Sequence, residues 1–414
     1  MDYGLIGRHL KHSFSKVVHE RVESYNYLIK ELEPEEIQSF MTRKNFKAIN
    51  VTIPYKEEVI KYLDYISPEV EELGACNTIV RKDSKLYGYN TDILGLKETI
   101  NHIGFDFNSK RVMILGTGGA SKAAVYVSKE LGAKEIILVS RSKKDGVITY
   151  DELDKYYDKV DYIINATPVG MYPNNYAKPI ELANFKSVLG VIDLVYNPLK
   201  TLLLMDAEKL GIKCINGLYM LVSQALYSID YFLDKETDKS IIPSLVNEIE
   251  REKRNIVLIG MPTSGKTTMG QNLSKRLHKP HIDTDQLIIR KIWMPIKIYF
   301  KLNGEEKFRD IESEVIKEVS KQNSKIISTG GGSILREENM INLKMNSIIV
   351  FLDKDKDSLY LSSSRPLIND RSDIDRLYNE RIELYRKYAD ITIKNNGDIK
   401  ESVNMILEAL KWKY

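Results

Sequence analysis

Cysteine is nearly absent. Two occur in 414 residues, Cys76 and Cys214, in no CxxC pair and at no metal-ligand spacing. That argues against a disulfide framework and against a zinc site. A surplus of one charge is missing too: 61 Lys and Arg face 58 Asp and Glu, for a net charge of +3 with no basic block. Such a balance gives no electrostatic footprint for nucleic acid. No apolar run approaches the roughly 18 residues that a bilayer span requires. The opening MDYGLIG holds the acid Asp2 and no basic, apolar leader. Repeats and low-complexity tracts are also lacking. These absences predict a cytoplasmic globular protein that contacts neither membrane nor nucleic acid. Nothing points to an oligomer, and nothing excludes one.

What is present is an ordinary globular composition, 43% hydrophobic and 29% charged. The chain is too long for one core, so two or three compact units are expected. Two stretches share one design, a short apolar strand, a glycine turn and a helix. The first is VMIL from Val112, then GTGGAS, then a helix ending at Gly132. The second is NIVLIG from Asn255, then MPTSGKTT, then a helix through Leu277. Two such units predict two nucleotide sites. A helix over Pro243–Glu252 separates them, with proline suited to its start. Ahead of Val112, strands are expected at Tyr3–Ile6, Ala48–Thr52 and Thr78–Val80.

The first turn places Gly116, Gly118 and Gly119 between strand and helix, the setting a dinucleotide fingerprint requires. Glycine lets the backbone approach a pyrophosphate, and the helix start offers free N–H groups to it. Ala120 and Ser121 are small enough for close helix packing. The next strand, Glu135–Val139, ends in Ser140-Arg141-Ser142. An NAD enzyme usually carries an acid there; an arginine between two hydroxyls suits the 2′-phosphate of NADP. The second turn, Gly260 to Thr267, fits G-x-x-x-x-G-K-[ST]. Its N–H groups, with those of Ser264, Gly265 and Thr268, suit the phosphates of ATP. Lys266 suits the outer phosphates, and Thr267 suits Mg²⁺.

Three polar clusters precede the first turn: His12-Ser13-Phe14-Ser15, Asn50 to Lys56, and Asn90-Thr91-Asp92. Singly, each reads as caps, turns or a surface lysine. Together with Gly4–Gly7, Gly74–Thr78, Asn165–Thr167 and Gly217–Ala225, in that order, they resemble the signatures of shikimate dehydrogenases from about Tyr3 to Phe232. The resemblance implies an α/β substrate domain over residues 1–100, completed by returning helices at about 218–250. It also implies a Rossmann NADP-binding domain over 101–217. By the same resemblance, Ser13 and Ser15 hold the substrate carboxylate. Thr52, Asn77, Asn90, Tyr196 and Gln224 bind the substrate, and Lys56 and Asp92 form the catalytic pair. Asn165, Thr167 and Gly217 join the cofactor side.

Beyond the second turn, Asp283-Thr284-Asp285, Phe308 to Glu312, Gly330-Gly331-Gly332, Arg365-Pro366-Leu367 and Arg381–Tyr385 follow in order. This half resembles shikimate kinases, which implies a P-loop α/β domain with a central parallel sheet over 253–414. Asp285 then activates the attacking hydroxyl, Asp283 helps hold Mg²⁺, and Arg309, Gly331 and Arg381 bind the substrate. Glu312 supports Arg309, and Arg365 covers the transferring phosphate. Together the two resemblances imply one bifunctional enzyme. It reduces 3-dehydroshikimate to shikimate with NADP(H), then phosphorylates shikimate with ATP and Mg²⁺. The alternative is a quinate/shikimate dehydrogenase with a weakly active or regulatory kinase half. Three departures stand out. Ser140-Arg141-Ser142 replaces N-R-T, with little room for a helix before Tyr162. Leu359–Ser364 lacks an arginine that usually flanks adenine. Ile292-Trp293-Met294-Pro295 replaces a turn of smaller residues.

Overall fold

The computed structural model describes residues 1–8, 10, 14–360, 367 and 370–411. The chain divides into two compact units, Met1–Ile249 and Glu250–Tyr414.

The first unit holds two six-stranded sheets. In the first, Tyr3–Gly7 lies between Tyr27–Glu31 and Ala48–Val51, parallel to both. Thr78–Lys82 then runs antiparallel to Ala48–Val51 and turns back as Lys85–Tyr89. The reversal is made at Asp83 and Ser84, both in the left-handed region at φ 48° and 66°. A two-residue loop with both φ positive matches the twist of the paired strands, and aspartate tolerates that region. This hairpin delivers the chain to Asn90–Asp92. The strands Tyr27–Glu31, Tyr65–Ile66 and Lys85–Tyr89 stand beside the three expected from the sequence. Tyr27–Glu31 has four of its five residues exposed, so it lacks the buried periodicity that marks a strand.

The second sheet is wholly parallel, in the order Lys213–Asn216, Gly190–Asp193, Tyr162–Asn165, Arg111–Leu115, Glu135–Ser140, Ile148–Thr149. Its central strands are continuous apolar runs because helices and loops cover both faces. The chain moves outward from Arg111–Leu115 in one direction, then crosses to its other side at Tyr162–Asn165. That reversal opens a crevice above the strand ends, where α/β sheets bind ligands. Between Ser140 and Tyr162 there is a two-residue strand and the 3₁₀ turn Tyr150–Tyr156.

The helix Leu218–Leu233 leaves this second sheet and returns to the first, packing along Asp92–Ile103. The approach is close because residue 95 is glycine. A Cβ there would meet Met220 O at 2.8 Å and Gln224 Cβ at 2.9 Å. The helix Ile242–Lys253 follows and carries the division between the units.

The second unit is one parallel sheet, in the order His281–Asp283, Ile326–Ser328, Asn255–Ile259, Ser347–Asp353, Ile391–Lys394. Its central strand is buried throughout and feeds the second glycine turn. Gly304, at φ 83° and ψ 171°, breaks the helical run Ile296–Ser320, so Phe308–Glu312 begins a fresh segment with its own direction.

Candidate active sites

In the first unit, Lys56 lies in the turn that follows Ala48–Val51, and Asp92 opens the helix Asp92–Ile103. The Lys56 ammonium donates to Asp92 Oδ2 at 2.6 Å, with side-chain exposures of 16% and 10%. The other carboxylate oxygen accepts from Asn77 Nδ2 at 2.9 Å. Asn90 turns its Oδ1 to the Asp92 N–H at 3.0 Å and its Nδ2 to Ala75 O at 2.8 Å. A carboxylate at a helix start is further favoured by the helix dipole. Asp92 is thus held at both carboxylate oxygens and at its backbone N–H. Ser15 is buried at the start of Ser15–Val22. Thr52 donates its N–H to Ile6 O, and a Cβ on Gly7 would run into its methyl, so the first glycine motif makes room for it. Ser13 lies outside the described residues.

Behind the pair is a buried polar cluster. Asn50 Nδ2 donates to Thr78 Oγ1 and Ser228 Oγ at 3.1 and 2.8 Å, and Asn50 Oδ1 accepts from the Tyr27 hydroxyl at 2.8 Å. Thr91 Oγ1 lies 3.0 Å from Ser228 Oγ and 3.3 Å from Gln224 Oε1. Gln224 is therefore beside the Asn90–Asp92 turn, delivered by the close helix approach at Gly95.

At the first glycine turn, Gly116 has φ 107°, and a Cβ on it would crowd Thr167 Cγ2 and Ala166 O. Nothing lies within 4 Å of a Cβ at Gly118, which caps the helix Gly119–Glu130. That open cradle before a helix N-terminus fits a pyrophosphate. Ala120 stands in the first turn of this helix, and Ser121 Oγ donates to Gly116 O at 2.7 Å. A Cβ on Gly119 would sit 3.5 Å from Lys56 Cδ, so the glycine turn adjoins the lysine. Arg141 is exposed between Ser140, whose hydroxyl accepts from the Ser142 N–H at 3.3 Å, and Ser142. Asn165 and Thr167 are joined, with Thr167 Oγ1 donating to Asn165 Oδ1 at 2.6 Å. Gly217 has no room for a side chain against Leu194 O. Tyr196 stacks at a tilt on Phe14, with centroids 5.4 Å apart.

In the second unit, Gly260, Thr263 and Gly265 all have positive φ and curl the loop, and Lys266 opens the helix Lys266–Leu277. The buried Lys266 ammonium donates to Gly260 O and Met261 O, both at 2.8 Å. Ser264 O accepts from Asn395 Nδ2 at 2.6 Å, which braces the loop from Ile391–Lys394 onward. Thr268 lies on the exposed side of the helix start. Thr267 Oγ1 donates to Asp283 Oδ2 at 2.6 Å, while Asp283 Oδ1 caps the next helix at Gln286 N.

Asp285, Arg309, Glu312, Gly330–Gly332, Arg381 and Leu367 line one cavity with Pro262 and Phe308. Arg309 Nη1 is paired with Glu312 Oε2 at 2.7 Å, and its Nη2 with Glu305 Oε1 at 2.8 Å. Burial pushes the Glu312 carboxyl above the usual carboxylate range, against the pull of Arg309 and with a further push from Asp285. Gly331 O accepts from Arg381 Nη1 at 3.2 Å and from the Tyr385 hydroxyl at 2.5 Å. Cβ atoms on Gly330 would meet both Asp285 and Glu312 at 2.8 Å. Arg365 lies outside the described residues.

Residues 5–79 match the family model described as shikimate dehydrogenase substrate binding domain, and residues 262–411 match shikimate kinase. The shikimate dehydrogenase (NADP(+)) of Caldicellulosiruptor bescii is 38% identical over 247 residues, covering 54% of this chain and 85% of that protein. This chain belongs to the shikimate dehydrogenase family and carries a shikimate kinase domain. The enzyme of the same description from Clostridium beijerinckii is 36% identical over 267 residues, covering 60% and 98%. The crystal structure of shikimate dehydrogenase 1 from Peptoclostridium difficile superposes with a TM-score of 0.57 at 39% identity, over 60% of this chain and 98% of that one. A shikimate dehydrogenase solved in complex with NADP+ gives 0.53 at 33% identity, over 60% and 94%.

Against this shikimate dehydrogenase frame, several side chains were not singled out by sequence reasoning. Ser228 lies one helical turn after Gln224, a spacing that puts both on one face. Lys144 Nζ donates to Thr117 Oγ1 at 3.3 Å, which ties the loop after Arg141 to the glycine turn. Asp193 and Thr201 support Asn165 from below. In the kinase domain, Trp293 ends the helix Thr284–Ile292 at φ 55° with its ring 91% exposed. The bulky replacement for a small-residue turn therefore points to solvent, and only its backbone conformation explains why smaller residues suit the position.

Proposed function

We propose that the chain reduces 3-dehydroshikimate to shikimate with NADPH and then transfers a phosphoryl group from ATP to shikimate. The observation that carries the reading is the Lys56–Asp92 pair, 2.6 Å apart and set against the glycine turn at Gly119. NADPH, when bound, supplies the hydride. The ketone oxygen then gains charge, and the Lys56 ammonium stabilises it and gives it a proton. Asp92 holds that ammonium in place. Ser13 and Ser15 anchor the substrate carboxylate, while Thr52, Asn77, Asn90, Tyr196 and Gln224 surround the ring hydroxyls. Gly116, Gly118, Gly119 and Ala120 take the pyrophosphate, and Ser140, Arg141 and Ser142 take the 2′-phosphate.

In the second unit, Arg309 and Arg381 clamp the shikimate carboxylate, a task for planar bidentate donors. Asp285 binds the attacking hydroxyl. Lys266 and the loop N–H groups hold the phosphates of ATP, and charge stabilisation by Lys266 and Arg365 does most of the work. Thr267 and Asp283 offer hard oxygen ligands within 2.6 Å of each other, which fits Mg²⁺ with waters and phosphate completing the shell. Among the described residues no helix is long and apolar enough to cross a membrane. Cytoplasmic location and small-molecule substrates alone are part of the same proposal, as is the division into 1–100 with 218–250, 101–217 and 253–414.

A coupled assay tests this. With 3-dehydroshikimate, NADPH, ATP and Mg²⁺, both NADPH loss and ADP formation are expected. Lys56→Ala abolishes the first signal, while added shikimate still yields ADP. NADPH loss at the wild-type rate in Lys56→Ala would overturn the role of Lys56, and no ADP formation by the wild-type chain on shikimate would overturn the kinase half.

A further inference from the structure

At the carboxyl end of Gly190–Asp193 lies a buried acid that the reduction mechanism does not use. The Asp193 side chain is fully shielded from solvent. Among the described residues it joins no ion pair. Three neutral donors meet it instead: Thr201 Oγ1 at 2.5 Å, Asn165 Nδ2 at 2.9 Å and the Val195 N–H at 3.1 Å. Each donor leads somewhere. Thr201 caps the helix Leu202–Lys209. Asn165 accepts from both the N–H and the hydroxyl of Thr167, at 3.1 and 2.6 Å, and Thr167 in turn lies against Gly116. Val195 O accepts from Gly217 N, and Tyr196 is the next residue. The carboxylate therefore stands beneath both loops that close the crevice where the sheet order reverses.

Burial without a cation is costly for a carboxylate, and it pushes this carboxyl up to about 6 despite its three donors. An uncompensated negative charge in a low-dielectric floor also acts on whatever occupies the crevice. In the reading proposed above, that occupant would be a nicotinamide cofactor, whose ring is neutral when reduced and cationic when oxidised.

We propose that Asp193 is a positioning residue of the nicotinamide site. It fixes the Asn165–Thr167 loop, and its uncancelled charge favours the oxidised over the reduced cofactor. The inference rests on the NADP reading of this site. Replacing the carboxylate by a neutral amide of the same shape separates charge from fold, because the Thr201 hydroxyl can turn to accept.

The test is a pair of dissociation constants, for NADP+ and for NADPH, measured by fluorescence on the whole chain at pH 8. In Asp193→Asn, binding of NADP+ is expected to weaken on the order of fivefold more than binding of NADPH. Thr201→Ser keeps both the charge and the donor and loses only the methyl group that packs beside Gly170. It is expected to lower thermal stability and leave the ratio of the two constants unchanged. Should Asp193→Asn not fold, Asp193→Ser serves, with the same ratio read. An equal loss for both nucleotides, no loss at all, or a shifted ratio in Thr201→Ser would overturn the inference. Failure of the wild-type chain to bind either nucleotide would instead overturn the cofactor reading itself, and the inference with it.

Discussion

Two single positions in the kinase half separate steric fit from backbone strain. Gly332 is not in a glycine-only conformation; its reason is space. A Cβ there would overlap the guanidinium of Arg309, which Glu312 and Glu305 already hold on two sides. The arginine cannot move without leaving an acid buried and unpaired. Overpacking of this kind costs about 1–3 kcal/mol. Gly332→Ala is expected to lower shikimate phosphorylation by roughly 10- to 100-fold, with NADPH oxidation unchanged in the same preparation. Trp293 is the opposite case. Its ring is 91% exposed, so little burial would be lost, but its backbone sits at φ 55°. An L-residue with Cβ pays about 1 kcal/mol there. Trp293→Gly is expected to raise the stability of the second unit by about that amount, read as a higher denaturant midpoint. The motif pattern made Gly332 legible as a site residue. Trp293 was legible only as a departure, because the conformation of one turn is set by the helix that precedes it.

Elements carry what spacing alone could not show. The helix Ser15–Val22 opens on a serine singled out from the sequence, yet its most buried polar residue is His19. His19 Nδ1 lies 2.6 Å from the Tyr25 hydroxyl, and its ring stacks on Tyr27 at 4.0 Å. Burial lowers its pKa to about 3, with Asn50 opposing. The unfolded chain has the ordinary histidine value, about 6.5. Between these values the unfolded state binds the extra proton, so folding is stabilised above pH 6.5 and weakens as pH falls toward 3. The slope is at most about 1.4 kcal/mol per pH unit. His19→Phe keeps the stacking and removes the titration. Its urea midpoint is expected to fall less than that of wild type between pH 6.5 and 4.5, while an identical decline in both would reject the burial argument. The same helix shows the limit of sequence reading. Ser15 stands in a recognisable motif, but the tie from Tyr27 through Asn50 to Ser228 joins three separate elements. Ser228 packs there because Gly95 lets two helices approach, a fact of tertiary contact rather than of local pattern.

At the scale of the molecule, the two glycine turns and the order of motifs were enough to read the α/β fold class and both families that the chain matches. What they did not show is how far each unit is self-contained. The first unit is held by the helix Leu218–Leu233, which leaves the second sheet and packs on Asp92–Ile103 and on the strands Ala48–Val51 and Thr78–Lys82 of the first, while Asp92–Ile103 shares a core with the second sheet. The second has its own core on both faces of its sheet. Two cores predict that one stability value does not describe the chain. A ligand that binds only the folded form of one unit stabilises that unit by about 2.7 kcal/mol at one hundred times its Kd. NADP+ is therefore expected to raise the melting transition of the first unit alone. ATP with Mg²⁺ and shikimate is expected to raise that of the second, with Asp285→Asn and Arg309→Lys reducing this second shift and leaving the first intact. Calorimetry of the whole chain reads both transitions in one scan. If each ligand moved every transition equally, the two cores would be one cooperative body, and the separate energetics argued from the sheets would be wrong.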